Sequence, residues 1–357
     1  TKADQLIPTY EYTFGGPVLK DRIWFFTAGR FVEETRAFDA QYTDLSWERV
    51  RDEKRYEGKA TYAIDASHTV RGSYLYKKAV TENDAFNANI FDAASLTTRE
   101  DPEKLMSLNY NGIFGSGFFL EAQYATREGS PIGAGSRSTD LIRGTLLLDG
   151  QRGARYNSPT FCGVCREEER DNTDLLVKGS WFLSTANWGS HNVVVGYDTF
   201  NDIRIADNHQ SGSGYRIIGT TAILRDGDAF PVFNNDGRST AIQWNPILVN
   251  SQGTDFRVHS LFANDVWRWT DRISLNLGLR YDRNAGRDAS GAVISDSAKL
   301  SPRLGLTWDP TGSGAWTMHG SYGVYVASLN NTIANGASIA GNSSAFQWAY
   351  TGPAVNT

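Results

Sequence analysis

The chain has 357 residues, a formal net charge of −5 and a mean hydropathy of −0.41. It is long enough for one large all-β unit and lacks the basic excess of a nucleic-acid binder. It has no run near the roughly 18 apolar residues that a membrane helix needs, but a membrane barrel escapes that exclusion, because alternating apolar and polar residues average to a hydrophilic score. An aromatic content of 12%, with 35 glycines and 2 methionines, favours strands.

Alternation starts at once. Tyr10, Tyr12 and Phe14 share one parity, with Glu11, Thr13 and Gly15 between them, and Lys20-Asp21-Arg22 makes a short turn. The run IWFFTAGRFVEETR from Ile23 is apolar on both parities in its first four residues. That suits the aromatic girdle of a membrane barrel or the buried end of a soluble strand. The polar stretch 35–55 reads as a loop to the next hairpin. There Tyr56, Gly58, Ala60 and Tyr62 oppose Glu57, Lys59 and Thr61, and the chain turns near Ala66. Val70, Gly72, Tyr74 and Tyr76 then oppose Arg71, Ser73 and Lys77.

A third hairpin carries Met106, Leu108 and Tyr110, turns at Gly115-Ser116-Gly117, and returns with Leu120, Ala122 and Tyr124. A fourth, after a long loop at 128–172, sets Leu175, Val177, Gly179 and Trp181 against Asp174, Lys178 and Ser180. A second long connection, 208–253, holds the β-like piece YRIIGTTAIL, which its pattern assigns neither to a membrane strand nor to a loop excursion. The fifth hairpin turns at Asp271-Arg272. Its return strand alternates over ten residues, Leu275, Leu277 and Leu279 against Asn276, Gly278 and Arg280. Its first half offers two parities, Phe262 and Val266 on one, Leu261, Ala263 and Trp267 on the other. A sixth turns at Thr311-Gly312-Ser313.

Connections therefore alternate. Short turns fall near 21, 66, 116, 188, 271 and 312, and long polar loops near 45, 90, 150, 230 and 290. A soluble sandwich has no reason to put every long loop at one end over twelve strands, whereas an outer-membrane barrel does, with short periplasmic turns and long extracellular loops. Arg71, Glu121, Lys178, Arg280 and Arg303 fit the same reading, since a wet lumen and an oily exterior satisfy both faces, as a soluble antiparallel sheet with one solvated face also would. The expected fold is an all-β transmembrane antiparallel up-and-down barrel, with Leu275, Leu277 and Leu279 toward lipid and Asn276, Arg280 and Arg303 toward the lumen.

Three blocks carry a family resemblance: TFGGPVLKDRIWFFTAGRF at 13–31, FANDVWRWTDRISLNLGLRYD at 262–282 and LSPRLGLTWDPTGSGAWTMHGSYGVY at 300–325. In order and spacing they resemble TonB-dependent outer-membrane receptors, in particular the Oar-like group. The resemblance implies a 22-stranded barrel plugged by a globular N-terminal domain. Residues 1–357 are then one partial barrel domain holding about twelve of those strands, without the plug, the segment that engages TonB, or the C-terminal strands.

Other motifs are sparse. Cys162 and Cys165 form the single cysteine pair, in the 128–172 loop. A loop-tightening disulfide is the leading reading, ahead of half a zinc site or a redox CxxC. Arg166 in place of His excludes haem attachment. Asp226-Gly227-Asp228 and Asn234-Asn235-Asp236-Gly237 resemble pieces of calcium loops but lack EF-hand ligand order, and turn chemistry explains them. No catalytic set, cofactor motif or metal-ligand spacing stands out, so no enzyme, cofactor or metal is expected. Candidate ligand contacts are loop aromatics, chiefly Trp47, Tyr156, Phe161 and Trp244, with loop packing as the equal alternative.

The expected function, implied by the resemblance, is binding of a scarce small-molecule or peptide-like external ligand and its import with TonB-coupled energy. The implied partners are outer-membrane lipid and the TonB complex. The rivals are a passive porin-like channel and an adhesin acting by contact alone.

Overall fold

The structure, a computed structural model, describes residues 7–160, 168–237, 239–327 and 331–355. Twelve strands pair with their sequence neighbours in one antiparallel sheet. The first six are β1 (Thr9–Leu19), β2 (Ile23–Asp39), β3 (Ser46–Ala63), β4 (His68–Asp84), β5 (Thr97–Phe114) and β6 (Phe118–Gly129). The rest are β7 (Glu169–Thr185), β8 (Gly189–Ile205), β9 (Thr254–Arg268), β10 (Ile273–Arg287), β11 (Val293–Trp308) and β12 (Met318–Gly323). Among the described residues β1 pairs only with β2 and β12 only with β11, so the sheet is an open part of a barrel wall. No described helix is long and apolar enough to cross a membrane; the crossing elements are strands.

Directly opposed residues share a face, so the register carries one face across the wall. From Leu279 the row runs through Ala263, Val195 and Gly179 to Leu120, and from Tyr281 through Leu261, Tyr197 and Val177 to Ala122. Every member is apolar or aromatic. Leu261 is 56% and Leu279 46% exposed, as lipid-facing side chains are when the chain is taken alone. Aromatic side chains mark both ends of this face. Trp188 and Trp267 cluster beside the short turns, and Phe31, Tyr56 and Tyr76 form an edge-and-stack series at the other end. Asp265 also lies on this face, between Val193 and Leu277, and His191 meets it at 2.8 Å beside the Trp267 ring.

The opposite face is wet. Its rows include Asp282, Ser260, Asp198, Leu176 and Gln123, and then Asn109 and Arg71. The register also resolves the two parities in β9: Leu261, Ala263 and Trp267 face out, while Phe262 and Val266 face in. Phe262 is tolerated inside because it covers Gly196, where an added Cβ would collide with the ring.

All six short turns lie where the sequence places them. The other end differs. The connections at 40–45 and 288–292 are brief, because β2, β3, β10 and β11 run on past the membrane. At about 3.4 Å per residue, the 18 residues of β3 span about 60 Å, whereas a crossing takes about 9–11 residues. Residues 35–39 and 46–55 are therefore paired strand rather than the expected loop. Glu34 is registered opposite Arg51, the like charges Arg36 and Arg49 oppose each other, and the pairing runs along single strands, Arg36 to Glu34 and Arg51 to Glu53, the latter at 2.9 Å. Hydropathy alternation cannot mark a strand whose two faces are both wet. The long connections are 85–96, 130–168 and 206–253.

Candidate functional site

The long loops build a second sheet of their own. Its order is Phe346–Ala349, Ala241–Trp244, Tyr215–Gly219, Leu146–Asp149, Ala154–Tyr156 and Asn89–Ile90. YRIIG therefore belongs to a loop excursion, paired in parallel with LLLD. The last strand, within the sequence AFQWAY, folds back on AIQW. One face packs Leu147 and Ala154 with Phe91, and with Ala222 and Ala229 of the hairpin Ala222–Arg225 and Asp228–Pro231. That hairpin turns on Asp226 (φ 54°) and Gly227 (φ 88°), the positive pair of a two-residue turn, which accounts for the Asp-Gly-Asp sequence.

Asp149, fully buried, ties this layer together. It accepts the amides of Gln151 and Arg152 at 2.9 Å, the Ala222 amide at 3.0 Å and the Arg152 guanidinium at 2.7 Å. Burial opposes ionisation, but the Arg152 amide and guanidinium and the Ala222 amide outweigh it and hold the carboxyl below its ordinary value. Asp92 lies in the neighbouring loop under the opposite balance. Burial pushes its carboxyl up, and bonds from the Ser95 hydroxyl at 2.7 Å and the Asn157 amide at 3.0 Å offset this only in part.

Cavities open beside this layer, one of them about 400 Å³ against Ile217, Ile242 and Trp348 of the sheet itself. One of about 290 Å³ is walled by Phe38, Trp47, Arg49, Asp84 and Asn87. Another of about 460 Å³ lies between Tyr42, Phe91 and Asp92 and the Leu224–Gly227 turn. Trp47 stacks on Phe38 with centroids 5.6 Å apart and lines the cavity of about 290 Å³. Tyr156 packs on the apolar core of the loop sheet and donates to Asp228 at 2.9 Å; burial and that carboxylate push its hydroxyl up to about 12. Trp244 stacks on Tyr215 and tilts against Phe346 inside the sheet. The three candidates therefore occupy separate parts of the layer. Phe161, Cys162 and Cys165 lie outside the described residues. Sequence reasoning missed Asp149, whose Asp-Gly context reads as a plain turn, and Asp92.

Below the loops the lumen face carries ordered charge. Arg280 donates to Asp198 at 2.9 Å and Asp282 at 2.7 Å, Ser260 donates to Asp282 at 2.6 Å, and the guanidinium lies 5.7 Å over the Phe262 ring. Lys178 pairs with Glu121 at 2.9 Å. Such a wall suits a wet lumen and does not form a dry core.

A family model described as TonB dependent receptor-like, β-barrel, matches residues 11–354. The chain belongs to that family. Its members are outer-membrane proteins of Gram-negative bacteria, so the apolar face meets outer-membrane lipid, the short turns are periplasmic and the loop sheet is extracellular. The family is one of receptors and transporters. The TonB-dependent transporter Oar of Myxococcus xanthus is 24% identical over 386 aligned residues, covering 85% of this chain and 36% of that protein. Among solved structures, the outer membrane transporter YddB from Escherichia coli has a TM-score of 0.53 at 13% identity, over 88% of this chain and 38% of its own. P. aeruginosa FpvA, solved with heterologous pyoverdines bound, has a TM-score of 0.55 at 11% identity, over 88% and 39%. These structures share the fold. The chain spans little more than a third of the length of each of these relatives.

Proposed function

We propose that residues 1–357 are one partial barrel domain of a receptor that captures an external ligand at its loop layer and imports it with energy delivered through TonB. The observation that carries this reading is the pairing of a charged lumen wall with a folded extracellular loop sheet. A passive pore needs an open mouth, whereas here the longest loops pack into a layer with its own apolar core and a buried acid. The family match over residues 11–354 supports the same reading. TonB is the proposed periplasmic partner, engaged through a part of the whole protein outside this chain, and no enzymatic role is proposed.

Ligand contact is proposed at the loop layer, with Trp47 at the cavity wall as the first candidate and Tyr156 and Trp244 shaping the layer around it. The loop cysteines, Cys162 and Cys165, are proposed to be bonded to each other, tightening the 128–172 loop. The test is conductance of the full-length protein in a planar bilayer together with ligand-dependent growth in cells with and without TonB. Closed channels and TonB-dependent uptake are expected. Steady porin-like conductance, or uptake that persists without TonB, contradicts the reading.

A further inference from the structure

The loop sheet has a second face, opposite the one that packs Phe91 and Asp149. On it, Leu146 and Leu148 of the central strand are flanked from both sides by arginines. Arg216 is registered on Leu146, and Arg155 on Leu148. Both arginines are half-buried. Among the described residues, neither has a carboxylate at ion-pair distance, although the chain as a whole is acidic and Arg152, Arg280 and Arg51 are each paired. Asp149 cannot serve, because its register, opposite Ala154 and Gly219, sends it to the other face. The Arg216 Nε is buried with no hydrogen-bond partner. Burial and the nearby Arg216 push the Arg155 guanidinium below its ordinary value, and burial does the same at Arg216.

Two half-buried like charges without a counter-charge repel each other and are poorly hydrated. A guanidinium holds its charge under all ordinary conditions, so the pair cannot relieve this by losing a proton. The relief is an anion from outside. We propose that Arg155 and Arg216 form an anion-binding site on the extracellular loop sheet, for a ligand bearing carboxylate or phosphate groups. The planar forks of two arginines match the oxygen pairs of such groups. Gln243, opposite Arg216, and Gln347 beyond it extend the same face with amide donors and acceptors, suited to a ligand that also carries hydroxyl or amide groups. That this anion is cargo rests on the receptor reading; its binding does not.

The test uses the full-length protein in detergent, with citrate and inorganic phosphate as probes in titration calorimetry. The unchanged protein is expected to bind at least citrate, and Arg155→Gln or Arg216→Gln to weaken binding about tenfold or more. Arg143→Gln, at an exposed loop position, serves as the control and should change nothing. A second readout separates binding from a structural role. Without anion, either glutamine variant should slow hydrogen exchange in the loop sheet by relieving repulsion, whereas a structural arginine would speed exchange when removed. No binding of either probe, unchanged affinity in both variants, or faster exchange in both overturns the site. Because the titration needs no uptake, failed uptake with intact citrate binding counts against the transport reading alone.

Discussion

The barrel wall and the loop sheet are both β-structure, and they are built by opposite rules. The wall uses strands of mostly 11 to 18 residues, each paired with its neighbour in sequence, with its apolar side turned outward. The loop sheet uses strands of 2 to 5 residues drawn from distant loops, some pairs parallel, with its apolar side turned inward onto a small core. Lipid stabilises the wall, so a charge on its outer face is the worst change it can suffer. The loop sheet depends on a few buried contacts, so it fails by losing one polar group. The division places rigidity in the membrane and adjustable chemistry outside it.

Substitutions in the two layers should therefore fail differently. The largest effect is expected from Leu279→Arg, in the middle of the lipid-facing rows. It should cost about 2–4 kcal/mol, read as a lower urea midpoint of the folded barrel in lipid. Asn276→Arg, on the lumen face of the same strand, should cost far less. Equal losses would mean that the faces have been assigned wrongly.

Asp149→Ala should come next, at about 2–3 kcal/mol, by leaving the Gln151, Arg152 and Ala222 amides without their acceptor and the Arg152 guanidinium without its counter-charge. The loss should appear as faster hydrogen exchange confined to 146–156 and 215–225, with the wall unchanged. The same carboxyl sets an acid limit. Its folded value lies below its unfolded one, so its stabilisation is complete above the ordinary carboxylate range near pH 4 and is lost as pH falls through the folded value. Loop-sheet protection in the unchanged protein should therefore drop in acid below about pH 4, and Asp149→Asn should flatten that dependence.

Tyr156→Phe removes the bond to Asp228 that joins the sheet to its hairpin, and should cost about 1 kcal/mol by the same exchange measurement. The smallest effect is expected from Arg51→Ala, in the exposed charge ladder of the extended strands. It should shift the barrel midpoint by less than about 1 kcal/mol, and less still in high salt.

The wall was legible in the sequence for the reason that lipid makes it stable. A face that must be apolar opposite a face that must be wet writes a period of two, and the turns at Asp21, Gly115 and Asp271 punctuate it. Legibility failed where that pressure ends. Residues 35–39 and 46–55 are strand with charges on both faces, so Arg49, Arg51 and Asp52 read as loop. Four-residue strands such as LLLD and AIQW are too short to show a period, and their partners lie tens of residues away. Of the candidate contacts, the aromatic character of Trp47, Tyr156 and Trp244 was readable, but their separate settings were not. Arg155 and Arg216 carry no local signal at all. Their meeting depends on a parallel pairing between two loops.

The wall is sided: apolar rows lie in lipid, short turns inside and the loop hairpin outside. The most direct measurement is labelling of single cysteines by a membrane-impermeant maleimide on intact cells, in the full-length protein with Cys162 and Cys165 changed to serine. Asp226→Cys, at the hairpin tip, should label at once. Asn187→Cys, in the turn between β7 and β8, should label only after the outer membrane is opened, and Leu277→Cys should stay unlabelled in both. Labelling of Asn187→Cys from outside, or rapid labelling of Leu277→Cys, would contradict this architecture and the receptor function built on it.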